Sequence, residues 1–127
     1  MAHEQYAACI EACIFCAEAC ERCVSASRSD PNHPQMTHCN TLCMDCADLC
    51  RITSNYMSRD SDFVDLVCQD CAEVAESCMQ ECMKFDTEYC RDCADACRHC
   101  MEECLRMGTM PFKPASLMNG RSYNLVM

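Results

Sequence analysis

Eighteen of the 127 residues are cysteine. They fall into four groups: Cys9, Cys13, Cys16, Cys20 and Cys23; Cys39, Cys43, Cys46 and Cys50; Cys68, Cys71, Cys78 and Cys82; and Cys90, Cys93, Cys97, Cys100 and Cys104. Within each group the steps are three and four residues, with one skip in the third group where Ala75 stands at the missing rung. A deprotonated thiol is a nucleophile and a soft metal ligand, so such a set suits either soft-metal binding or thiol redox chemistry. A lone C-x-x-C would say little; the same spacing in four separate segments says a great deal.

Steps of three and four place all members of a group on one narrow stripe of an α-helix, the a/d seam of a heptad pattern. On the first segment Ala12, Ala19, Ile10, Ala17 and Val24 flank the seam while Glu11 and Glu18 lie opposite, so the cysteines face inward. Val67, Ala72 and Val74 flank the third stripe, and Ala94 and Ala96 the fourth. Between Met36 and Gly108 there is no glycine or proline to interrupt a helix. Asp30-Pro31-Asn32-His33-Pro34 separates the first two helices, since proline lacks the N–H that an interior position needs. Ser58-Arg59-Asp60-Ser61-Asp62 is predicted to cap and start the third. Continuing the stripe from Cys82 leads to Phe85 and Tyr89, yet the next thiol is Cys90, rotated by about 100°. A turn at Phe85-Asp86-Thr87 resolves the mismatch. Gly108 ends the fourth helix. The expected fold is all-α: an antiparallel up-down four-helix bundle with a cysteine-lined core over residues 1–108, followed by a tail, 109–127, whose Phe112, Leu117, Met118, Tyr123, Leu125 and Val126 could pack on the bundle or a neighbouring subunit.

The remaining composition narrows the function. The net charge is −10, and eight Arg and two Lys are scattered among twenty acids. No basic stripe is available for a phosphate backbone, so nucleic acid is not expected as a partner. No segment approaches the ~20 apolar residues of a membrane span, and Met1-Ala2-His3-Glu4-Gln5 is not a signal sequence, which gives a cytosolic expectation. In a reducing compartment, metal binding or redox work explains many cysteines better than a disulfide framework. No His-activated nucleophile, three-ligand open metal site or phosphate loop supports an enzyme.

Leu, Ile, Val and Phe together number 18, no more than the cysteines. Placing Cys at nearly every seam position forgoes the apolar area that Leu or Ile would bury, at ~25 cal/mol per Å². Soft thiolates suit Cu(I), Zn(II) and iron–sulfur clusters. Zinc takes four ligands, so these thiolates would hold about four Zn(II) and leave a large negative excess in the core. About one Cu(I) per thiolate leaves the core nearly neutral. Iron–sulfur motifs sit in loops that wrap a compact cluster, which straight stripes match poorly. The favoured reading is storage of many Cu(I) ions; a zinc or other soft-metal buffer, a redox thiol reservoir and a copper chaperone are the alternatives.

The run Cys90-x2-Cys93-x3-Cys97-x2-Cys100-x3-Cys104, with Cys68-x2-Cys71, Cys78-x3-Cys82 and the matching ladders upstream, resembles the bacterial copper storage proteins over roughly residues 5–107. Exported members carry a twin-arginine signal, so the resemblance is to the cytosolic branch. It implies a bundle that folds without metal, a core filled with Cu(I) held mainly by cysteine pairs, and assembly into homotetramers. Ala75 and the tail are departures from the pattern.

Beyond the thiols, Met57 continues the second stripe past Cys50 and Met107 the fourth past Cys104. In an antiparallel bundle both lie at the end that holds the start of helix 1, beside His3, where thioethers could pass Cu(I) inward. The opposite end offers Met36, Ser27 and Phe85 and is less rich in sulfur, so the first end is the favoured mouth. His38 and His99 fall one step before a seam cysteine and turn toward solvent; His33 lies in the interhelix loop. Ile14, Phe15, Met44 and Ile52 are predicted to face outward on helices 1 and 2 and suggest a subunit interface.

Overall fold

The computed structural model describes residues 2–108, and the segment read as a tail lies outside them. Four α-helices follow one another: α1 (Ala7–Ser27), α2 (Thr37–Ser58), α3 (Val64–Cys82) and α4 (Glu88–Gly108). Short 3₁₀ turns, Ala2–Tyr6 and His33–Met36, precede α1 and α2. There is no strand among the described residues. Each helix packs on two others, α1 on α2 and α4, and α3 on α2 and α4, the closed square of an up-down bundle.

The seam positions form the axis of this square. Every cysteine is buried, together with Ala12, Ala17, Ala19, Ala47, Ala72, Ala75, Ala94 and Ala96. Alanine beside the seam lets backbones approach closely, which a stripe of small thiols requires if the core is to reach normal packing density. Glu11, Glu18, Gln69, Asp70, Glu73 and Glu76 are exposed, as the stripe geometry predicts.

The predicted breaks are present, with one difference of mechanism. α3 carries no side-chain cap; Phe63 precedes it, and Ser61 instead accepts the Phe63 N–H on its hydroxyl. The upstream loop residues are committed to ending α2. Asp60 N–H bonds Met57 C=O at 3.1 Å and Ser61 N–H bonds Tyr56 C=O at 3.0 Å, the paired closure of a Schellman motif. Asp60 sits at its left-handed position, with φ of 53°. Glycine is the usual residue there, and the Asp60 carboxylate is used instead to accept the Tyr6 hydroxyl at 2.9 Å. Thr87, in the expected turn, accepts the Cys90 N–H on its side chain at 3.1 Å and so caps α4 directly beneath its first thiol.

Candidate metal centre

The four stripes bring eighteen free thiols into one column. At the end formed by the start of α1, Cys9 lies 3.7 Å from Cys104, which is 3.7 Å from Cys13 and 4.0 Å from Cys100. Cys50 reaches Cys100 at 3.6 Å, Cys71 at 3.7 Å and Cys46 at 3.9 Å. The path continues through Cys16 to Cys97, both steps 3.7 Å, then to Cys20 at 3.9 Å and Cys93 at 3.7 Å. Cys93 meets Cys43 at 3.7 Å; Cys43 meets Cys78 at 3.7 Å and Cys82 at 3.9 Å; and Cys82 meets Cys39 at 3.6 Å. Cys23 and Cys90 pair at 4.0 Å near the far end. Sulfur contacts therefore run nearly the whole length of the bundle.

Several foursomes have all their sulfurs within 4.8 Å of one another, among them Cys13/Cys71/Cys100/Cys104, Cys16/Cys20/Cys46/Cys97, Cys20/Cys78/Cys93/Cys97 and Cys23/Cys39/Cys43/Cys82. These sets share members, so the sites overlap instead of standing as separate tetrahedra. Metal–sulfur bonds of about 2.3 Å, as at zinc, require sulfurs about 3.8 Å apart for four ligands, about 4.0 Å for three and about 4.6 Å for a linear pair. The column is spaced for three or four ligands per ion, and two-coordinate sites need it to spread slightly.

Spacing alone admits Zn(II) and Cu(I) equally, and electrostatics separates them. Among the described residues the buried polar or charged side chains are Ser27, Thr53, Ser54 and Glu103, and no Lys, Arg or His is buried. Ser27 and Thr53 bond backbone carbonyls or Asn40, and Glu103 holds Arg106 at 2.8 Å. The described residues thus supply no cation to the core, and there bound metal must carry the neutralising charge. Without metal the thiols bond one another. Contacts with neighbouring thiols, and burial with them, raise Cys20, Cys50, Cys82 and Cys104 above the ordinary thiol range, and such contacts draw Cys46, Cys93 and Cys100 below it. Cys16 is pushed up to about 11, first by its contact with Cys100. Burial raises Cys90.

The methionines differ in depth. Met57 is fully buried, and Cys68 Sγ lies 4.0 Å from its sulfur, so the second stripe does continue past Cys50. Met107 is partly buried against the core. The His3 side chain lies outside the described residues. Met36, at the other end, is also fully buried, which makes that end richer in sulfur than its neighbours Ser27 and Phe85 suggest. His38 and His99 are exposed and away from the column, as are Ile14, Phe15, Met44 and Ile52. The contacts of two tyrosines were not legible in the sequence. Tyr6 closes on Asp60 beside Met57, and Tyr89 donates to Asp30 and lies 3.8 Å from the Met36 sulfur. Their place one stripe step before Cys9 and after Phe85 was the available signal.

Comparison with known proteins gives a consistent picture. Residues 2–109 match the copper storage protein family. An uncharacterized cysteine-rich protein of Bacillus subtilis (strain 168) is 40% identical over 66 residues, which are 51% of this chain and 61% of that protein. A solved copper storage protein with Cu(I) bound, BsCsp3, is 38% identical, with a TM-score of 0.79 over 82% of this chain and 98% of its own. A cytosolic copper storage protein from Streptomyces lividans, solved with five coppers, is 37% identical, with a TM-score of 0.82 over 86% of this chain and 96% of its own.

Proposed function

The chain belongs to the copper storage protein family, and we propose on that premise that its column of core cysteines holds many Cu(I) ions at once and releases them on demand. The observation that carries this is a continuous set of buried thiols with, among the described residues, no buried cation beside it. Each Cu(I) that meets a thiol forms a Cu–S bond as the S–H bond breaks and its proton goes to solvent, leaving a neutral copper thiolate, so filling can proceed ion by ion without building net charge in the core. Zinc at the same thiols would stop at about four ions. The role is sequestration, with no bond made or broken in a substrate, and its setting is the cytosol, as for the Streptomyces relative. Copper analysis of protein produced with added copper, gel-filtered anaerobically, tests the reading: copper per chain should far exceed zinc. A chain that leaves the column with four zinc ions and little copper refutes it.

Proton release gives a second expected result. Titration of the reduced protein in unbuffered solution near neutral pH should release about one proton per Cu(I) until loading ends. A tetrahedral zinc thiolate would release up to about four per ion.

All eighteen cysteines are assigned as ligands, with Met57 and Met107 as transit ligands at the end where α1 begins. A thioether is neutral and soft and binds Cu(I) without pairing its charge, which suits a temporary stop. Replacing both by Leu keeps size and apolar character, so stability should change by less than about 1.5 kcal/mol. Uptake and chelator-driven removal should slow, and the number bound should fall by no more than one or two ions. Unchanged rates in stopped-flow uptake would remove this assignment.

Ile14, Phe15, Met44 and Ile52, exposed on α1 and α2, are assigned to contacts between copies in a homotetramer. Residues 1–108 are assigned to the storing bundle and 109–127 to a C-terminal tail.

A further inference from the structure

Where α3 packs on α4, a surface groove of about 590 Å³ lies between the two helices. Its apolar lining is Met79 and Met83 from α3, Phe85 from the connecting turn and Ala94 from α4. The basic side chains at its rim are already paired, Arg91 with Asp86 at 2.6 Å, Arg98 with Asp95 at 3.3 Å and Lys84 with Glu81 at 2.9 Å. The groove is therefore shaped for apolar side chains and offers no free cation to an anion. Met83 is 68% exposed within it, and apolar surface gathered in a concavity marks a contact site more often than a bare face.

The α4 wall of this groove leads to the point where the chain leaves the helix. Positions 91, 94, 98, 101 and 105 share one stripe of α4. The line Arg91, Ala94, Arg98 thus continues through Met101, partly buried, to Leu105, half-exposed in the last turn before Gly108. Residues 109–127 follow. Ala94 stands fourteen residues back from Gly108, about 21 Å along the helix. Nine extended residues span up to about 30 Å, so Leu117 and Met118 reach the groove with length to spare for reversing direction. Charge favours the same occupant: all twenty acids lie within residues 1–108, and the charged side chains of 109–127 are Lys113 and Arg121. A cationic segment is drawn to an anionic bundle, and its tether holds it there at an effective concentration of about millimolar, so modest contacts suffice.

We propose that residues 109–127 fold back along α4 and seat Leu117 and Met118 in the α3–α4 groove of their own chain, against Met79, Met83 and Phe85. Phe112, four residues beyond Gly108, covers Leu105. The segment closes the apolar face of α3 and α4, and contacts between copies are left to the α1–α2 face. The docking involves no thiol and no metal, so it holds or fails independently of the storage reading.

The chain contains no tryptophan, so Leu117→Trp places a single reporter in the whole reduced, metal-free protein. Its fluorescence should lie to the blue of free tryptophan. Succinimide should quench it roughly threefold less efficiently than in the same chain carrying Met83→Glu, which puts a charge into the groove at an exposed position. A reporter as red and as open to quencher as free tryptophan overturns the proposal, and so does protection that Met83→Glu leaves unchanged. Protection regained when the double variant is assembled with excess unaltered chain places the segment on a neighbouring subunit and overturns the same-chain assignment. Methionine methyl resonances decide the case in which tryptophan itself disturbs the seat. On Met118→Asp in otherwise unaltered protein, the ¹³C methyl signals of Met79 and Met83 should move while that of Met44, between α1 and α2, stays in place. Met79 and Met83 signals that do not move overturn the docking.

Discussion

Stripped of metal and kept reduced, the chain will give the circular dichroism of a helical bundle and melt cooperatively, and copper will raise its melting temperature by roughly 20 °C or more. Four helices of 19 to 22 residues satisfy their own backbone hydrogen bonds. A thiol buried as S–H behaves as a small hydrophobe, and Tyr6, Val64, Met36 and Met57 close the ends of the column. Folding therefore does not wait for metal, in contrast to a zinc finger. Loading then adds linkage energy, about 2.7 kcal/mol for each independent site held at a hundred times its dissociation constant. Several such sites exceed the few kcal/mol that move a domain of this size by tens of degrees. A coil-like spectrum for the reduced metal-free chain, or a melting point that copper leaves in place, would contradict the account.

At Ala75 two substitutions should have different outcomes. This residue is fully buried on the α3 stripe, between Cys71 and Cys78. Ala75→Asp places a carboxylate where no cation can reach it, a change that costs about 3–5 kcal/mol when charge is left unpaired. Urea unfolding should show that loss. Ala75→Cys completes the stripe instead. It adds one sulfur to a packed core, which should cost about 1–3 kcal/mol, and raises copper capacity by about one ion. If Ala75→Asp is harmless, the stripe does not face the axis.

The four stripes were legible because each residue in them obeys one simple period, and burial of every cysteine follows from it. The turn at Phe85-Asp86-Thr87 was legible for the same reason, as a break in phase between Cys82 and Cys90. Other features depend on contacts that no local pattern encodes. Tyr6 meets Asp60 and Tyr89 meets Asp30 across 54 and 59 residues of sequence. Asp60 reads as a helix-starting residue in sequence, yet the backbone uses it to end α2 in a left-handed conformation. Met36 stands one stripe step before Cys39 and its place at the far end was legible, but the approach of the Tyr89 hydroxyl to its sulfur was not. The order in which thiols touch was also beyond sequence, since it depends on the axial offset of neighbouring helices.

The most direct measurement of the central claim is anaerobic titration of the fully reduced protein with Cu(I) against a strong competing chelator, followed to saturation. With eighteen thiols in the chain, a core neutralised ion by ion predicts a plateau near one Cu(I) per thiol. Saturation at about four or five ions, the number that closed four-thiolate sites would give, would contradict storage in a shared column and return these cysteines to separate tetrahedral sites.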